Sequence, residues 1–252
     1  MNNNNPDIIL ELQNVSKSFG GIRAVDNCSF YVKRGLITSL IGPNGAGKTT
    51  TFNLITGLLR TDNGRIIFLE QDINRKPTYK IAKMGLSRTF QQVRLFDNLS
   101  IEENLLVALD LPGEKFHKCF FYTRKSGSYK KKIEETLALV GLKKPLTTLA
   151  GELSYGQKRL LELARALMMD YSLLMLDEPT AGVNPAVREQ LKKLLRKLRQ
   201  QGKTILLIEH DMDFVMNLSD EVIVLDSGTK LTAGKPELVR KDKKVLEAYL
   251  GK

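Results

Sequence analysis

The chain has 252 residues, 42% hydrophobic and 27% charged, a composition that is ordinary for a globular protein with a full core. It contains no run of about 18 or more apolar residues, and its start, MNNNNPD, lacks the basic and apolar regions of a secretory signal, so we expect neither a membrane-spanning helix nor export. Without export, Cys28 and Cys119 are expected to be reduced thiols in a cytoplasmic protein.

The net charge of +11 is concentrated in one segment. Residues 115–132, KFHKCFFYTRKSGSYKKK, hold seven lysines and arginines and no acid. Such a cluster suits nucleic acid, a membrane surface or an acidic partner, and it equally suits a solvated surface. Charge alone does not choose among these.

The N-terminal part is predicted to form strands. Apolar and polar residues alternate in IILELQNVSKSF and CSFYVKRG, and a turn and strand follow at NGRIIFLE. These strands predict an antiparallel β subdomain at the N-terminal edge.

The segment GPNGAGKT, residues 42–49, matches the phosphate-binding pattern G-x-x-x-x-G-K-[ST], with an apolar strand before it and a helix after it. Glycines let backbone N–H groups surround phosphate oxygens, and the helix N-terminus adds positive potential. Lys48 is expected to reach the β- and γ-phosphates, and the Thr49 hydroxyl to bind Mg²⁺. The predicted phosphate-binding residues are Gly42, Pro43, Asn44, Gly45, Ala46, Gly47, Lys48, Thr49 and Thr50.

A helical period dominates from about Ile101 to Ala166, in SIEENLLVALD, YKKKIEETLALVGL and GQKRLLELARALMM. At the start of the last of these, Ser154 and Gln157 have the spacing of a capping box, and Gly156 leaves the backbone open to close approach. The spacing fits an anion-binding helix N-terminus, and it also fits an ordinary capped helix.

Strand patterns return at LLMLDEP, TILLIEH and EVIVLD, with a helical pattern, AVREQLKKLLRKLRQQ, between the first two. Alternating strands and helices predict parallel strands covered by helices. The fold class is therefore α/β, with a P-loop NTPase core, the N-terminal antiparallel β subdomain and an inserted α-helical subdomain.

Two carboxylates follow a buried strand in LLMLDE, at the strand end where ligands bind in open α/β sheets. We expect Asp177 to hold Mg²⁺ through water. Glu178 is expected to point to the opposite face, since neighbouring strand residues alternate, and to polarise an attacking water. The chain has no N-K-x-D run of the kind that recognises guanine.

The order of the motifs GPNGAGKT, TFQ, LSYGQ, LLMLDE and IEHD resembles the nucleotide-binding subunit of ABC transporters along nearly the whole chain. The resemblance implies a single cassette over residues 1–252, with a core at about 7–91 and 165–252 and a helical subdomain at about 92–164. It also implies that ATP and Mg²⁺ are bound between two cassettes paired head to tail. In that arrangement Ser154, Gly156 and Gln157 contact the γ-phosphate of the partner's ATP.

The resemblance assigns roles to further residues. Phe19 is similar to the aromatic residue that stacks on adenine, with a core aromatic as the alternative. Gln91 resembles the loop glutamine that joins the core to the helical subdomain and contacts Mg²⁺ at the catalytic site, and His210 resembles the switch histidine that contacts the γ-phosphate. Two positions depart from the family pattern. In LSYGQ, which corresponds to the family's LSGGQ-type signature, Tyr155 replaces the first glycine. Asn184 stands where many cassettes have Asp.

Among cassettes, the resemblance is closest to branched-chain amino-acid importers, through SRTFQQVRLFDNLSIEENL, LSYGQKRLLELAR, DEPTAGVNP, LIEHDMDFVM and LEAYLG. It implies a second, same or similar cassette, two membrane-spanning permease subunits and, indirectly, a solute-binding protein. It places the chain at the cytoplasmic face of the inner or plasma membrane, with no nucleic acid as partner.

Other functions stay open at this point. Cassettes for urea or amide uptake and for lipopolysaccharide export share several of the same stretches. A soluble DNA- or ribosome-associated ATPase is a different class, against which the single cassette and the lack of a coiled coil argue. A regulator that binds ATP without turnover is disfavoured by the intact Glu178 and His210.

Overall fold

The computed structural model describes residues 7–109 and 127–250. The chain divides into two compact units: Met1–Leu86 with Ser172–Glu178 and Leu195–Lys252, and Ser87–Tyr171 with Pro179–Leu194. The second unit includes the range 92–164, for which we predicted a helical subdomain, and extends beyond it at both ends. The basic segment lies outside the described residues up to residue 126.

Strands and helices of the described residues are numbered here in chain order. The strands are β1 (Ile8–Phe19), β2 (Ile22–Lys33), β3 (Ile37–Ile41), β4 (Asn63–Phe68), β5 (Gln71–Asp72), β6 (Leu86–Arg88), β7 (Leu173–Asp177), β8 (Thr204–Ile208), β9 (Glu221–Asp226) and β10 (Thr229–Gly234). The helices are α1 (Lys48–Ile55), α2 (Thr78–Lys83), α3 (Ile101–Leu106), α4 (Gly127–Val140), α5 (Tyr155–Leu167), α6 (Pro185–Gln200), α7 (Met212–Leu218), α8 (Pro236–Val239) and α9 (Lys243–Leu250), with a 3-10 turn at Ala150–Glu152.

The predicted N-terminal antiparallel subdomain is confirmed. Strands β2, β1, β4 and β5 form a four-stranded sheet in that order, and each neighbouring pair is antiparallel. The alternation that predicted β1 appears only in part as alternating burial. Leu10 and Leu12 are buried with less buried neighbours at Glu11 and Gln13, but Ile9 is buried beside Leu10. Strand β2 begins at Ile22, six residues before the predicted CSFYVKRG.

The predicted parallel core is also confirmed, within a six-stranded sheet in the order β10-β9-β3-β8-β7-β6, whose edge strand β10 runs antiparallel to β9. Strand β3 runs parallel to both β8 and β9, and β7 runs parallel to β8. Every residue of β3, β7 and β8 is buried, which explains why these strands are mostly apolar and do not alternate with polar residues. Thr38 and Ser39 of β3 are buried polar exceptions. The carboxyl ends of three neighbouring strands, β3, β8 and β7, therefore lie at one edge of this sheet.

A single hydrophobic cluster joins the two sheets of the first unit. It includes Leu12 and Phe68 from the antiparallel sheet, Leu40 from the parallel sheet, and Phe52 from α1. Phe52 and Phe68 are fully buried. Cys28 in the same cluster is a free thiol, as expected, and burial raises its pKa to about 11 against the opposing effect of Lys230. Cys119 lies outside the described residues.

The described part of the second unit is mainly helical, and α3 and α4 both pack on α5. The capping box predicted at Ser154 is confirmed: its backbone N–H donates to Oε1 of Gln157 at 3.0 Å, and its Oγ accepts the Gln157 N–H at 3.4 Å. A second capping box, Ser100 with Glu103 at the start of α3, was not predicted. Both boxes fix where a helix begins.

No helix among the described residues combines the length and the apolar character needed to cross a membrane.

Candidate nucleotide-binding and catalytic site

The phosphate-binding loop connects β3 to α1, as predicted. Gly47 precedes α1 with φ of 90°, and no side chain caps this helix N-terminus. A Cβ atom on Gly42 would lie 2.1 Å from the carbonyl oxygen of Leu225, and one on Gly47 would lie 2.3 Å from that of Ala24. Only glycine fits at these two positions, because the loop backbone passes directly against the carbonyls of Leu225 and Ala24.

Lys48 begins α1 and is only 5% exposed. Its ammonium donates hydrogen bonds to the carbonyl oxygens of Gly42 at 2.8 Å and Pro43 at 2.9 Å. Burial lowers the pKa of Lys48, and the carboxylates of Glu178 and Asp177 act in the opposite direction. The lysine, the loop and the two acids therefore belong to one electrostatic site within the first unit.

Asp177 is the last residue of β7 and is 1% exposed. Glu178 does not continue the strand, so the expectation that strand alternation sets its direction is wrong. Its φ of 49° is in the left-handed region, which costs a non-glycine residue about 1–2 kcal/mol. Its backbone N–H still donates to the carbonyl of Ile208 at 3.0 Å, so the turn away from the strand is anchored on β8.

His210 and Glu178 are brought together in the first unit. Nε2 of His210 lies 2.7 Å from Oε1 of Glu178, within hydrogen-bond distance. Glu209, which follows β8, is 3% exposed, and its Oε2 accepts the backbone N–H of His210 at 3.2 Å. The loop after β8 thus holds the imidazole against the carboxylate that follows β7.

The chemistry of the nearby oxygen donors fits Mg²⁺. Thr49 supplies an exposed hydroxyl next to the loop, and Asp177 supplies a carboxylate at the strand end. Hydroxyl and carboxylate oxygens are the hard ligands that Mg²⁺ prefers beside phosphate. Gln91, the third predicted ligand, belongs to the second unit, and its side chain is exposed.

Phe19 ends β1 with 45% of its surface exposed, so the alternative of a core aromatic is excluded. The Lys17 ammonium lies 5.5 Å from the centroid of its ring. An exposed ring at a strand end is able to stack on a planar ligand, and adenine stacking stays a prediction.

The signature residues lie at the start of α5 in the second unit. Ser154 is exposed, Gly156 and Gln157 are partly exposed, and all three lie in the first turn or at its cap. Whether they contact a partner's ATP stays a prediction.

The two departures from the family pattern have local explanations. A Cβ atom on Gly182 would lie 2.9 Å from the ring of Tyr155, so the tyrosine packs directly on the backbone of the loop that follows Glu178. Asn184 precedes α6, and its Oδ1 accepts the N–H of Val187 at 2.9 Å. Asn184 therefore caps α6, a role that Asn and Asp fill equally well, with Pro185 as the first helical residue.

Sequence reasoning missed two site-adjacent residues, Arg159 and Glu162, which form a buried ion pair in α5. Arg159 donates to the backbone carbonyl of Gln91. The signal available in the sequence was a charged pair three residues apart on the helical face that otherwise carries leucines and alanines.

Comparison with known proteins agrees with this geometry. The profile of the ABC transporter family matches residues 25–181. Over 251 residues, the chain is 42% identical to the high-affinity branched-chain amino acid transport ATP-binding protein BraF of Pseudomonas aeruginosa, covering 96% of this chain and 98% of that protein. It is 41% identical to LivG, the protein of the same description from Escherichia coli strain K12, with the same coverage.

Solved structures of cassettes are similar as well. A nucleotide-free ATP-binding cassette from an ABC transporter has a TM-score of 0.84 and 36% identity, covering 97% of this chain and all of that one. The ADP conformation of the cassette MJ1267 has a TM-score of 0.83 and 36% identity, covering 97% of this chain and 99% of that one. A dimeric bacterial cassette, MJ0796, has a TM-score of 0.79 and 26% identity, covering 90% of this chain and 99% of that one.

The sheet topology, the glycine cradle with its buried lysine, and the family match over residues 25–181 lead to one conclusion: this chain belongs to the ABC transporter family of ATP-binding cassettes.

Proposed function

We propose that this chain is the subunit that binds and hydrolyses ATP in an importer of branched-chain or related amino acids. The observation that carries the proposal is the identity of 42% and 41% to two ATP-binding proteins of high-affinity branched-chain amino acid transport. That identity extends over 96% of the chain, well beyond the phosphate loop and the signature.

In this function the loop from Gly42 to Thr50 holds the phosphates of ATP, and Phe19 stacks on the adenine. Lys48 supports this role because its buried ammonium is placed at the loop carbonyls, where a phosphate competes favourably for a cation. Thr49, Asp177 and Gln91 hold Mg²⁺, with Asp177 acting through water. The ion, when bound, offsets the charge that develops on the phosphate oxygens.

Hydrolysis depends on Glu178, which accepts a proton from the attacking water. His210 holds this carboxylate at 2.7 Å and contacts the γ-phosphate from the loop after β8. An oriented base of this kind contributes roughly 10²–10⁴-fold to a rate. Gln91 completes the catalytic set by positioning the water and the metal.

The working assembly in this proposal is a head-to-tail dimer with a second, same or similar cassette. Ser154, Gly156 and Gln157 face the partner's ATP, and their exposure at the capped start of α5 supports this role. The second compact unit corresponds to the helical subdomain. Two permease subunits anchor the dimer at the cytoplasmic face of the membrane, and a solute-binding protein delivers the amino acid to them.

The test is purification of the tagged full chain from its own cells in mild detergent, followed by reconstitution of the co-purifying complex. We expect two membrane subunits and a second cassette to co-purify, and ATP-driven uptake of labelled leucine, isoleucine or valine into proteoliposomes. Uptake of urea, or export of lipopolysaccharide, would replace the substrate and keep the ATPase role. Co-purification with nucleic acid and no membrane subunit would overturn the transport function.

A further inference from the structure

Helix α5 contains a buried ion pair that the proposed hydrolysis does not use. Arg159 is 4% exposed and Glu162 is 3% exposed, and Nη1 of Arg159 lies 3.1 Å from Oε2 of Glu162. The loss of hydration on burying two charges often exceeds their attraction, so overall stability is a weak reason for such a pair. Fixing one local arrangement is a second role, which buried polar or charged groups have in some proteins.

The two side chains of the pair hold a neighbouring loop, residues 90–94, by hydrogen bonds to the backbone of that loop. Arg159 donates to the carbonyl oxygen of Phe90 at 2.9 Å and to that of Gln91. One carboxylate oxygen of Glu162 accepts the backbone N–H of Arg94 at 3.4 Å. Thus the two charges of α5 hold the beginning and the end of residues 90–94.

Two arginine side chains, one from this loop and one from β6, also lie over the ring of Phe90. The guanidinium of Arg94 lies 4.2 Å from the centroid of the Phe90 ring, and that of Arg88 lies 5.1 Å from it.

A guanidinium presents five N–H donors in a rigid fork, so Arg159 is able to bind two carbonyls and a carboxylate together, which lysine cannot do with the same geometry. Burial raises the pKa of Glu162, and the charge of Arg159 counteracts this.

We propose that Arg159 and Glu162 are positioning residues that fix the loop of residues 90–94, which contains Gln91, to helix α5. Gln91 and Ser154, which caps α5, then move as one body. Ser154 caps the same helix five residues before Arg159, and the backbone of Gln91 is held by that arginine. The inference rests on the proposed function, in which Gln91 serves the chain's own ATP and Ser154 serves the partner's. The pair thereby links the occupancy of one nucleotide site to the geometry offered to the other.

The first arm of the test needs no nucleotide. Amide hydrogen exchange is measured on the full chain and on Arg159→Lys and Glu162→Gln. We expect exchange at residues 91–94 to become roughly tenfold faster, as the loss of a charge-assisted hydrogen bond implies. Glu135→Gln is the matched control, because it makes the same chemical change in the exposed Lys131–Glu135 pair of α4 and should leave these amides unaffected.

The second arm measures ATP hydrolysis by the assembled transporter. For both variants we expect kcat to fall roughly tenfold with KM for ATP changed by less than about twofold, because the phosphate cradle keeps its own contacts. If a single variant fails to fold, Arg159→Met combined with Glu162→Met removes both charges together and avoids leaving one buried alone. The double variant should fold and still show the faster exchange.

The outcomes separate the two proposals. Unchanged exchange at residues 91–94 would overturn the positioning role, whatever the protein transports. Faster exchange with an unchanged kcat would overturn the link between the two nucleotide sites. A wild-type complex that hydrolyses no ATP would refute the proposed function, while the exchange measurement would still decide whether α5 holds the loop.

Discussion

The imidazole of His210 lies 2.7 Å from the carboxylate of Glu178, and the two residues come from loops at the ends of the neighbouring strands β8 and β7. The contact depends on an unusual backbone conformation, because Glu178 has left the strand with φ of 49°. A carboxylate held in this way loses little freedom when a water must be oriented, which is the property a general base needs.

The first prediction concerns this carboxylate. Glu178→Gln should leave ATP affinity nearly unchanged and slow hydrolysis roughly 10²–10⁴-fold, the usual contribution of a positioned base. The amide keeps the size of the side chain and its contact with His210, so folding should be unaffected. Binding titration and single-turnover hydrolysis check this, and turnover close to that of the wild type would exclude Glu178 as the base.

Much of the first unit was predictable because its signals are local. The partial alternation of β1, the mostly apolar composition of β3, β7 and β8, and the glycines of the phosphate loop are signals of this kind. In the second unit, the capping box formed by Ser154 and Gln157 was likewise recognisable from four residues. Strands as short as β5 and β6 contain too few residues for any period, so they were missed.

The unpredicted features depend on contacts between distant segments. The left-handed turn at Glu178 requires the carbonyl of Ile208 on the neighbouring strand. The sequence shows Arg159 and Glu162 only as two charges on an apolar helix face, and it does not show that the loop at Phe90 lies beside them. Local propensity carries no information on such pairings, since tertiary contacts decide them.

The second prediction addresses the signature. Ser154→Arg should leave ATP binding by the isolated chain nearly intact and abolish the ATP-dependent dimer, because a bulky cation replaces the exposed hydroxyl at the start of α5. The variant is best made together with Glu178→Gln, so that ATP is not consumed during size-exclusion chromatography. If the monomer instead loses as much ATP affinity as Lys48→Ala does, the signature does not serve a partner's nucleotide.

The third prediction compares two glycines of the phosphate loop. Gly45 and Gly47 have φ of 82° and 90°, but a Cβ atom meets nothing within 4 Å at Gly45 and lies 2.3 Å from the Ala24 carbonyl oxygen at Gly47. Gly45→Ala should therefore lower the unfolding free energy only by the cost of placing alanine in the left-handed conformation, about 1–2 kcal/mol. Gly47→Ala should lower it by at least about twice as much, because the added carbon also collides with the Ala24 carbonyl. Urea unfolding measures both, and equal losses would contradict the close packing of Gly47 against Ala24.

The last prediction concerns the tyrosine that replaces a signature glycine. A Cβ atom on Gly182 would lie 2.9 Å from the Tyr155 ring, and the φ of 71° at Gly182 adds a cost of its own. Gly182→Ala should thus destabilise the chain in two separable ways, by backbone strain of about 1–2 kcal/mol and by collision with the ring.

Adding Tyr155→Gly to Gly182→Ala removes the collision and leaves the strain, so the double variant should lose less stability than the two single losses combined. The expected interaction energy is about 0.5–3 kcal/mol, the range for residues in contact. Urea unfolding of the wild type, both single variants and the double variant gives this value. Gly202→Ala is the control, because Gly202 has a φ of 79° and the added carbon meets nothing within 4 Å. Its loss of unfolding free energy measures the backbone strain without a collision. Strict additivity would mean that Tyr155 does not press on the loop after Glu178, and that a glycine at residue 155 would leave that loop unchanged.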